Sequence, residues 1–111
     1  MNIELLPEKF TGKGEVANML FSLHSSNEFY TIYKVECNNS THYELFKNIY
    51  IAKCLDFAKR IYSEKEFKQK YPKSNDFGKT AWTFRNLDIA ILEFEKLSQD
   101  AEKIDKSGNK N

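Results

Sequence analysis

The C-terminal third of the chain has the clearest pattern of apolar and polar positions. Its apolar residues recur at steps of three and four, which places them on one stripe of a helix. These residues are Leu87, Ala90, Ile91, Phe94, Leu97, Ala101 and Ile104. Asn86 stands directly before the stripe, where its side-chain oxygen can accept a hydrogen bond from a free backbone N–H of the first turn. The pattern therefore predicts a long amphipathic helix that begins after Asn86.

Four other segments are predicted to be strands, at residues 16–23, 29–37, 42–48 and 79–85. The first and the last alternate with a period of two, which is typical of half-buried strands. The second is rich in the aromatic and branched residues that suit a pleated surface. Polar groups separate the first three segments, and an antiparallel meander is the simplest arrangement for them. The fourth segment carries the only tryptophan, Trp82, and leads directly into the helix. We therefore expect Trp82 to join the sheet to the helix in the core.

The segment at 49–62 mixes apolar residues at helical steps with short runs that suit a strand. We expect irregular or mixed structure there. Two alternatives stay open: residues 49–51 could extend the third strand, and residues 60–62 could form a short strand of their own.

A short helix is expected at 64–71. Ser63 followed by Glu66 fits a capping box, in which each side chain accepts from a backbone N–H at the start of a helix. Phe67 and Tyr71 stand one helical turn apart and would form an apolar pair on the same face.

These elements predict a single α+β domain at 16–104. Its antiparallel sheet of about four strands carries the short helix, and the long C-terminal helix packs on one sheet face. Residues 1–15 contain a proline and two glycines, which predict an irregular N-terminal arm. The polar residues 105–111 predict a frayed tail.

Composition supports a folded chain without a strong overall charge. Of the 111 residues, 41% are apolar and 14% aromatic, which argues against a disordered chain. The formal net charge is +1, which gives no overall attraction to nucleic acid or anionic lipid. The charge is unevenly distributed, because residues 43–85 hold ten Lys or Arg against five Asp or Glu.

The sequence predicts a cytoplasmic protein that does not bind membranes. It has no apolar run near the roughly 20 residues needed to cross a bilayer, and no basic-then-apolar leader. Two cysteines in a chain without a leader indicate a reducing compartment and free thiols.

No motif points to catalysis, a cofactor or a metal. The imidazole and thiol groups are those of His24, Cys37, His42 and Cys54. The closest two, Cys37 and His42, lack the paired spacing of a zinc site. No nucleophile stands in a motif that would hold it against a base. Glu36 and Glu44 are expected to be surface charges beside Lys34 and Lys47. We therefore predict a protein that is not an enzyme, with no catalytic, cofactor-binding or metal-binding residues.

A surplus of aromatic residues points to binding. Thirteen of the 16 aromatic residues lie between Phe29 and Phe84, more than one small core readily buries. Exposed tyrosines are typical of protein interfaces. We expect Tyr30, Tyr33, Tyr43 and Tyr50 to contribute to such a surface.

Residues 50–73 interleave basic and aromatic side chains. The basic residues Lys53, Lys59, Arg60, Lys65 and Lys68 complete the candidate binding surface. Lys and Arg can neutralise phosphates while aromatic rings stack on unpaired bases, so this segment could bind nucleic acid. The competing interpretation places the aromatic rings in the core and the lysines on the solvated face of the same elements.

Two resemblances accompany these patterns. The first is carried by three strands that end in HYELFK at 42–47, by FGKTAWTF at 77–84 and by the helix that follows. In these features the chain resembles short bacterial proteins, many of them from phages or mobile elements. That resemblance implies no activity for any residue. The order of strands and helix also resembles the tryptophan-glycine-arginine DNA-binding module. Thr83 and Phe84 follow Trp82 here, so the defining motif is absent and the likeness is architectural.

The sequence therefore predicts a non-enzymatic binding protein that acts through protein contacts, as an accessory or inhibitory factor of a phage or mobile element. The identity of the protein partner is open. The alternative is a nucleic-acid-binding module that uses residues 50–73. A free sheet edge could also pair with a second copy to form a homodimer.

Overall fold

A computed structural model of the chain describes residues 2–108, apart from the side chains of Glu15 and of residues 105–108. This part of the chain is an α+β structure with two sheets and one long helix. The strands are β1 (Asn2–Glu4), β2 (Lys9–Thr11), β3 (Met19–Ser26), β4 (Tyr30–Cys37), β5 (Ser40–Lys47), β6 (Tyr50–Asp56), β7 (Ile61–Gln69) and β8 (Ala81–Phe84), and the helix is α1 (Leu87–Gly108). Short 3-10 turns span Gly14–Val16 and Ser74–Asp76.

The larger sheet has five antiparallel strands in the order β2-β3-β4-β5-β8. β4 lies in the middle and is covered on both faces, so its consecutive residues Ile32 and Tyr33 are both buried. A two-residue turn joins β4 to β5, and Asn38 in this turn has a φ of 54°. Asn adopts the left-handed conformation more readily than most residues. The antiparallel meander predicted from the segments at 16–23, 29–37 and 42–48 is confirmed by β3, β4 and β5.

Helix α1 packs on one face of this sheet. Ile32 and Leu45 from the sheet and Ala90 from α1 are fully buried together, and Trp82 packs against this cluster. Asn86 caps the helix, because its Oδ1 accepts from the backbone N–H of Asp88 at 2.8 Å. The predicted helix, its cap and the place of Trp82 between sheet and helix are all confirmed.

Aromatic side chains cover the opposite face. Phe10 of β2 stacks on Phe21 of β3 with ring centroids 4.7 Å apart. Tyr71, in the connection after β7, meets Phe21, Tyr33 and Phe46 with centroids 4.9–5.5 Å away. The cover on this face thus comes from the connection after β7 and from the segment that precedes β2, without a helix.

The smaller sheet has the order β1-β7-β6, with β1 parallel and β6 antiparallel to β7. Strand β6 and the first two residues of β7 replace the irregular structure expected at 49–62. The short helix expected at 64–71 is wrong. Ser63 Oγ does accept from the backbone N–H groups of Lys65 and Glu66, at 3.1 and 2.8 Å, as a capping residue would. These bonds form a bulge in β7, because pairing with β1 and β6 keeps the segment extended.

The sheet is larger than the four strands expected, and the chain ends also differ. The N-terminal segment 1–15, expected to be irregular, supplies β1 to one sheet and β2 to the other. The first predicted strand, at 16–23, lies at Met19–Ser26. Of the tail expected at 105–111, the backbone to Gly108 continues α1, and the last three residues lie outside the described part.

Two phenylalanines give a direct test of this fold. Phe46→Ala should lower the free energy of unfolding by about 3–5 kcal/mol, because Phe46 is buried against Tyr33 and Tyr71. Phe57→Ala should change it by less than about 0.5 kcal/mol, because 86% of Phe57 is exposed. Urea denaturation followed by circular dichroism measures both, and equal losses would contradict the assignment of the core.

Candidate functional site: the exposed arm

The hairpin at residues 50–69, formed by β6 and β7, extends away from the five-stranded sheet and is called the arm here. Strand β7 contacts both β6 and β1 extensively, and the two strands of the arm make few contacts with the larger sheet. The radius of gyration is 15.7 Å, above the roughly 13 Å of a compact domain of this length.

A buried amide fixes the base of the arm. Gln69 Oε1 accepts from the backbone N–H of Leu6 at 3.1 Å, and its Nε2 donates to Asn48 Oδ1 at 3.3 Å and to Thr31 Oγ1 at 3.5 Å. These partners belong to the N-terminal segment, to the connection after β5 and to the central strand. One side chain thus joins the arm to three parts of the body.

A hydrogen-bonded turn closes the far end of the arm. Asp56 Oδ1 accepts from the backbone N–H of Lys59 at 3.1 Å, and the N–H of Arg60 donates to the carbonyl of Phe57 at 3.3 Å. Arg60 has a φ of 54°, a left-handed conformation that costs an L-residue about 1–2 kcal/mol. The turn is ordered, and it holds an arginine where glycine would be less strained.

The arm tip, residues 55–62, exposes four large hydrophobic side chains. Phe57 is 86% exposed and Leu55 61% exposed, and Ile61 and Tyr62 are also largely exposed. Scattered single exposed apolar residues are ordinary, but neighbouring ones at the end of one hairpin form a patch. Exposed apolar side chains of this kind are a common feature of interaction surfaces.

Basic side chains accompany the patch along the arm. Lys59, Arg60, Lys65 and Lys68 are exposed, and none of them forms an ion pair within the described part of the chain. Lys53 is partly buried and pairs with Glu4 of β1 at 3.0 Å. The arm holds five basic and three acidic residues, a net charge of +2. The predicted basic residues therefore do share one element.

The four predicted tyrosines do not form a common surface. Tyr50 is exposed at the base of the arm, whereas Tyr30 and Tyr43 are half-buried against the cluster beneath α1. Tyr33 is only 1% exposed, so its prediction as a surface residue is wrong. It lies on the central strand, where its hydroxyl donates to the carbonyl of Pro7 at 2.6 Å.

The apolar residues of the arm tip were not among the predicted site residues. Leu55, Phe57 and Ile61 lie in the segment for which no regular element was assigned. The sequence holds little signal for this hairpin, because the connection at 57–60, FAKR, has none of the Gly, Asn, Asp or Pro residues of a typical hairpin turn. The exposure of these side chains follows only from the tertiary structure.

The remaining groups considered for metal binding or catalysis include the two cysteines. Cys37 and Cys54 are free thiols, the first partly buried and the second exposed. Among the described residues there is no group of three or more His, Cys, Asp or Glu side chains that could hold a metal ion. No helix in this same part of the chain is both long and apolar enough to cross a bilayer.

Comparison with protein-family models, with curated proteins and with solved structures gave no match.

The buried Tyr33 gives a prediction for alkaline pH. Burial, together with the charge of Glu8, raises the pKa of Tyr33 from 10.0 to about 12. A raised pKa means that the folded state holds the proton of Tyr33 more tightly than the unfolded state does. The resulting contribution to the free energy of unfolding is complete below pH 10 and is lost as the pH rises to 12. The free energy of unfolding should therefore fall between pH 10 and 12. Tyr33→Phe should make this fall shallower, and an unchanged slope would contradict the assignment.

The positive φ of Arg60 gives a prediction for the stability of the chain. Arg60→Gly should raise the free energy of unfolding by about 0.5–1 kcal/mol, because glycine adopts a positive φ without strain. Arg85→Gly, at an exposed residue without a positive φ, should show no such gain. Thermal denaturation of the two variants would reveal this, and a loss of stability in Arg60→Gly would show that the arginine side chain itself supports the turn.

Proposed function

We propose that this chain is a small, non-enzymatic binding protein whose arm tip docks into another protein. The observation that carries the proposal is the exposure of Phe57 and Leu55 at the end of an ordered hairpin. Burial of both side chains in a partner would stabilise the complex by several kcal/mol, at about 25 cal/mol for each Å² of apolar surface. Aromatic and arginine side chains are those that most often dominate the energy of an interface.

The order of the arm tip supports this function. The side chain of Asp56 and the backbone of Phe57 hold the turn before any partner arrives. Gln69 holds the other end of the arm against the body. A hairpin that is already ordered loses less conformational entropy on binding than a flexible loop.

The chemistry of the tip defines the partner. An apolar pocket would take Phe57, and an acidic rim would face Lys59 and Arg60. The setting that we propose is the cytoplasm, and the role is that of an accessory or inhibitory factor of a phage or mobile element. The role rests on the resemblance carried by residues 42–47 and 77–84.

Nucleic acid is the second candidate partner. The exposed Lys59, Arg60, Lys65 and Lys68 could neutralise phosphates, and the exposed rings of Phe57 and Tyr62 could stack on unpaired bases. The modest net charge of +2 on the arm and the aliphatic residues among the exposed side chains favour a protein partner.

A homodimer through a sheet edge has less support. Strand β6 is an edge of the smaller sheet, but its pairing with β7 shifts register twice. Bulges of this kind twist an edge away from a further strand. The edges of the larger sheet, β2 and β8, are only three and four residues long.

A crosslinking experiment tests the proposed function. A photoreactive phenylalanine analogue at position 57 should crosslink one or a few proteins in extracts of the cells that express the chain. The same analogue at Leu92, an exposed position on α1, is the control. Arg60→Glu combined with Leu55→Ser should abolish the specific crosslink. Identical products from both positions, or none from position 57, would refute docking through the arm tip.

Oligonucleotide binding distinguishes the second candidate. Labelled single- and double-stranded oligonucleotides are titrated at about 50 and 200 mM salt, because phosphate contacts weaken steeply with salt. Binding through the arm would be lost in a Lys59→Ala, Arg60→Ala double variant and kept in Lys96→Ala, which removes an exposed charge from α1. Absence of binding at the lower salt concentration eliminates this candidate.

A further inference from the structure

A separate cavity lies on the aromatic face of the five-stranded sheet. Its volume is about 480 Å³, within the range of small-molecule sites. The wall is mostly apolar and is formed by β2, β3 and the connection that follows β7. Its apolar lining comes from Phe10, Val16, Met19, Phe21, Tyr71, Pro72 and Phe77.

One acidic side chain enters this apolar wall. The side chain of Glu44 is only 14% exposed, although the sequence predicted a surface charge. Its Oε1 accepts from the hydroxyl of Tyr71 at 2.5 Å, and its Oε2 lies 3.0 Å from Nε2 of His42. These two contacts fix the orientation of the carboxylate, and each oxygen keeps a further lone pair for another donor.

The charge of Glu44 has no permanent cation beside it. Within the described residues its ion-pair partner is His42, which carries a charge only when it is protonated. Lys13 also lines the cavity, but it makes no ion pair with Glu44 in this part of the chain. A carboxylate in an apolar wall is costly to hold without an opposite charge beside it. A cationic ligand would supply the missing charge.

Aromatic rings lie next to the carboxylate. The ring of Tyr71 meets those of Phe10 and Phe21 edge-on, with centroids 5.7 and 5.3 Å away, and Phe77 lines the same cavity. Aromatic faces attract cations and also cover the apolar body of a ligand. A carboxylate beside several rings therefore favours a ligand that is cationic at one end and apolar at the other.

We propose that this cavity binds a small organic ammonium ion, with its charged nitrogen against Glu44 and its apolar body among the rings of Phe10, Phe21 and Phe77. The site uses none of the arm-tip residues. It is therefore a second activity of the fold, and either proposal can fail without affecting the other.

Three probes of similar size and different charge test the proposal. Phenethylamine is the cation, phenethyl alcohol the neutral analogue and phenylpropionate the anion. Binding is followed by amide chemical shifts in NMR titrations. We expect phenethylamine to bind at least about tenfold more tightly than the alcohol, since a charge-assisted hydrogen bond adds roughly 1.4 kcal/mol or more. We expect no binding of the anion. The shifts should centre on Met19, Phe21 and Tyr71.

Two variants assign the binding to the cavity. Glu44→Gln should remove the preference for the amine over the alcohol, whereas Glu36→Gln, at an exposed carboxylate on the other sheet face, should leave it intact. Met19→Trp should block both ligands by filling the cavity, and it keeps the test valid if Glu44→Gln does not fold. Any of five results would overturn the proposal. In the unmodified chain these are equal affinity for the amine and the alcohol, chemical-shift changes outside the cavity, and no binding at all. In the variants they are a preference for the amine that survives Glu44→Gln and binding that survives Met19→Trp.

Discussion

Burial of both faces of β4 is the constraint on which the rest of this structure depends. A central strand with Ile32 on one face and Tyr33 on the other needs a cover on each side. Helix α1 covers the first face, and its amphipathic stripe suits that single task. The second face is covered by the connection after β7 and by Leu6 of the N-terminal segment, and this irregular cover leaves the cavity beside Glu44. The regular helix α1 and the irregular connection after β7 thus bury opposite faces of the same strand.

The arm lies outside both of these layers. The backbone groups of its strands form hydrogen bonds with each other and with β1, and not with strands of the larger sheet. A hairpin that adds little to the core is free to expose apolar side chains, at a cost in solubility but little in stability. Gln69 nevertheless fixes its base to three parts of the body through buried hydrogen bonds. The chain then reaches Tyr71, in the cavity wall, within two residues.

The parts of the fold that sequence patterns predicted are those determined by local signals. Asn86 and the apolar stripe that follows it are enough to predict α1 without any other element. The position of Trp82 in the core could be predicted because its strand leads directly into the helix. Ser63 and Glu66 gave an equally clear local signal, and its hydrogen bonds to Ser63 do form. The predicted helix at 64–71 does not form, because β1, more than 60 residues earlier in the chain, pairs with β7.

Tyr33 and Tyr50 look alike in the sequence, yet Tyr33 is buried and Tyr50 is exposed. That difference depends on which strand becomes central.

The arm tip combines two features that folding stability alone does not favour. Phe57 exposes most of its ring to water, and Arg60 occupies a left-handed conformation that asparagine fills in the turn between β4 and β5. Local strain that persists in a structure is found most often at functional sites, where the side chain is needed for something other than the fold. In the core, by contrast, Ile32, Leu45 and Ala90 are fully buried. The contrast between a fully buried core and an exposed, strained tip is the physical argument for the proposal that the arm tip binds a partner.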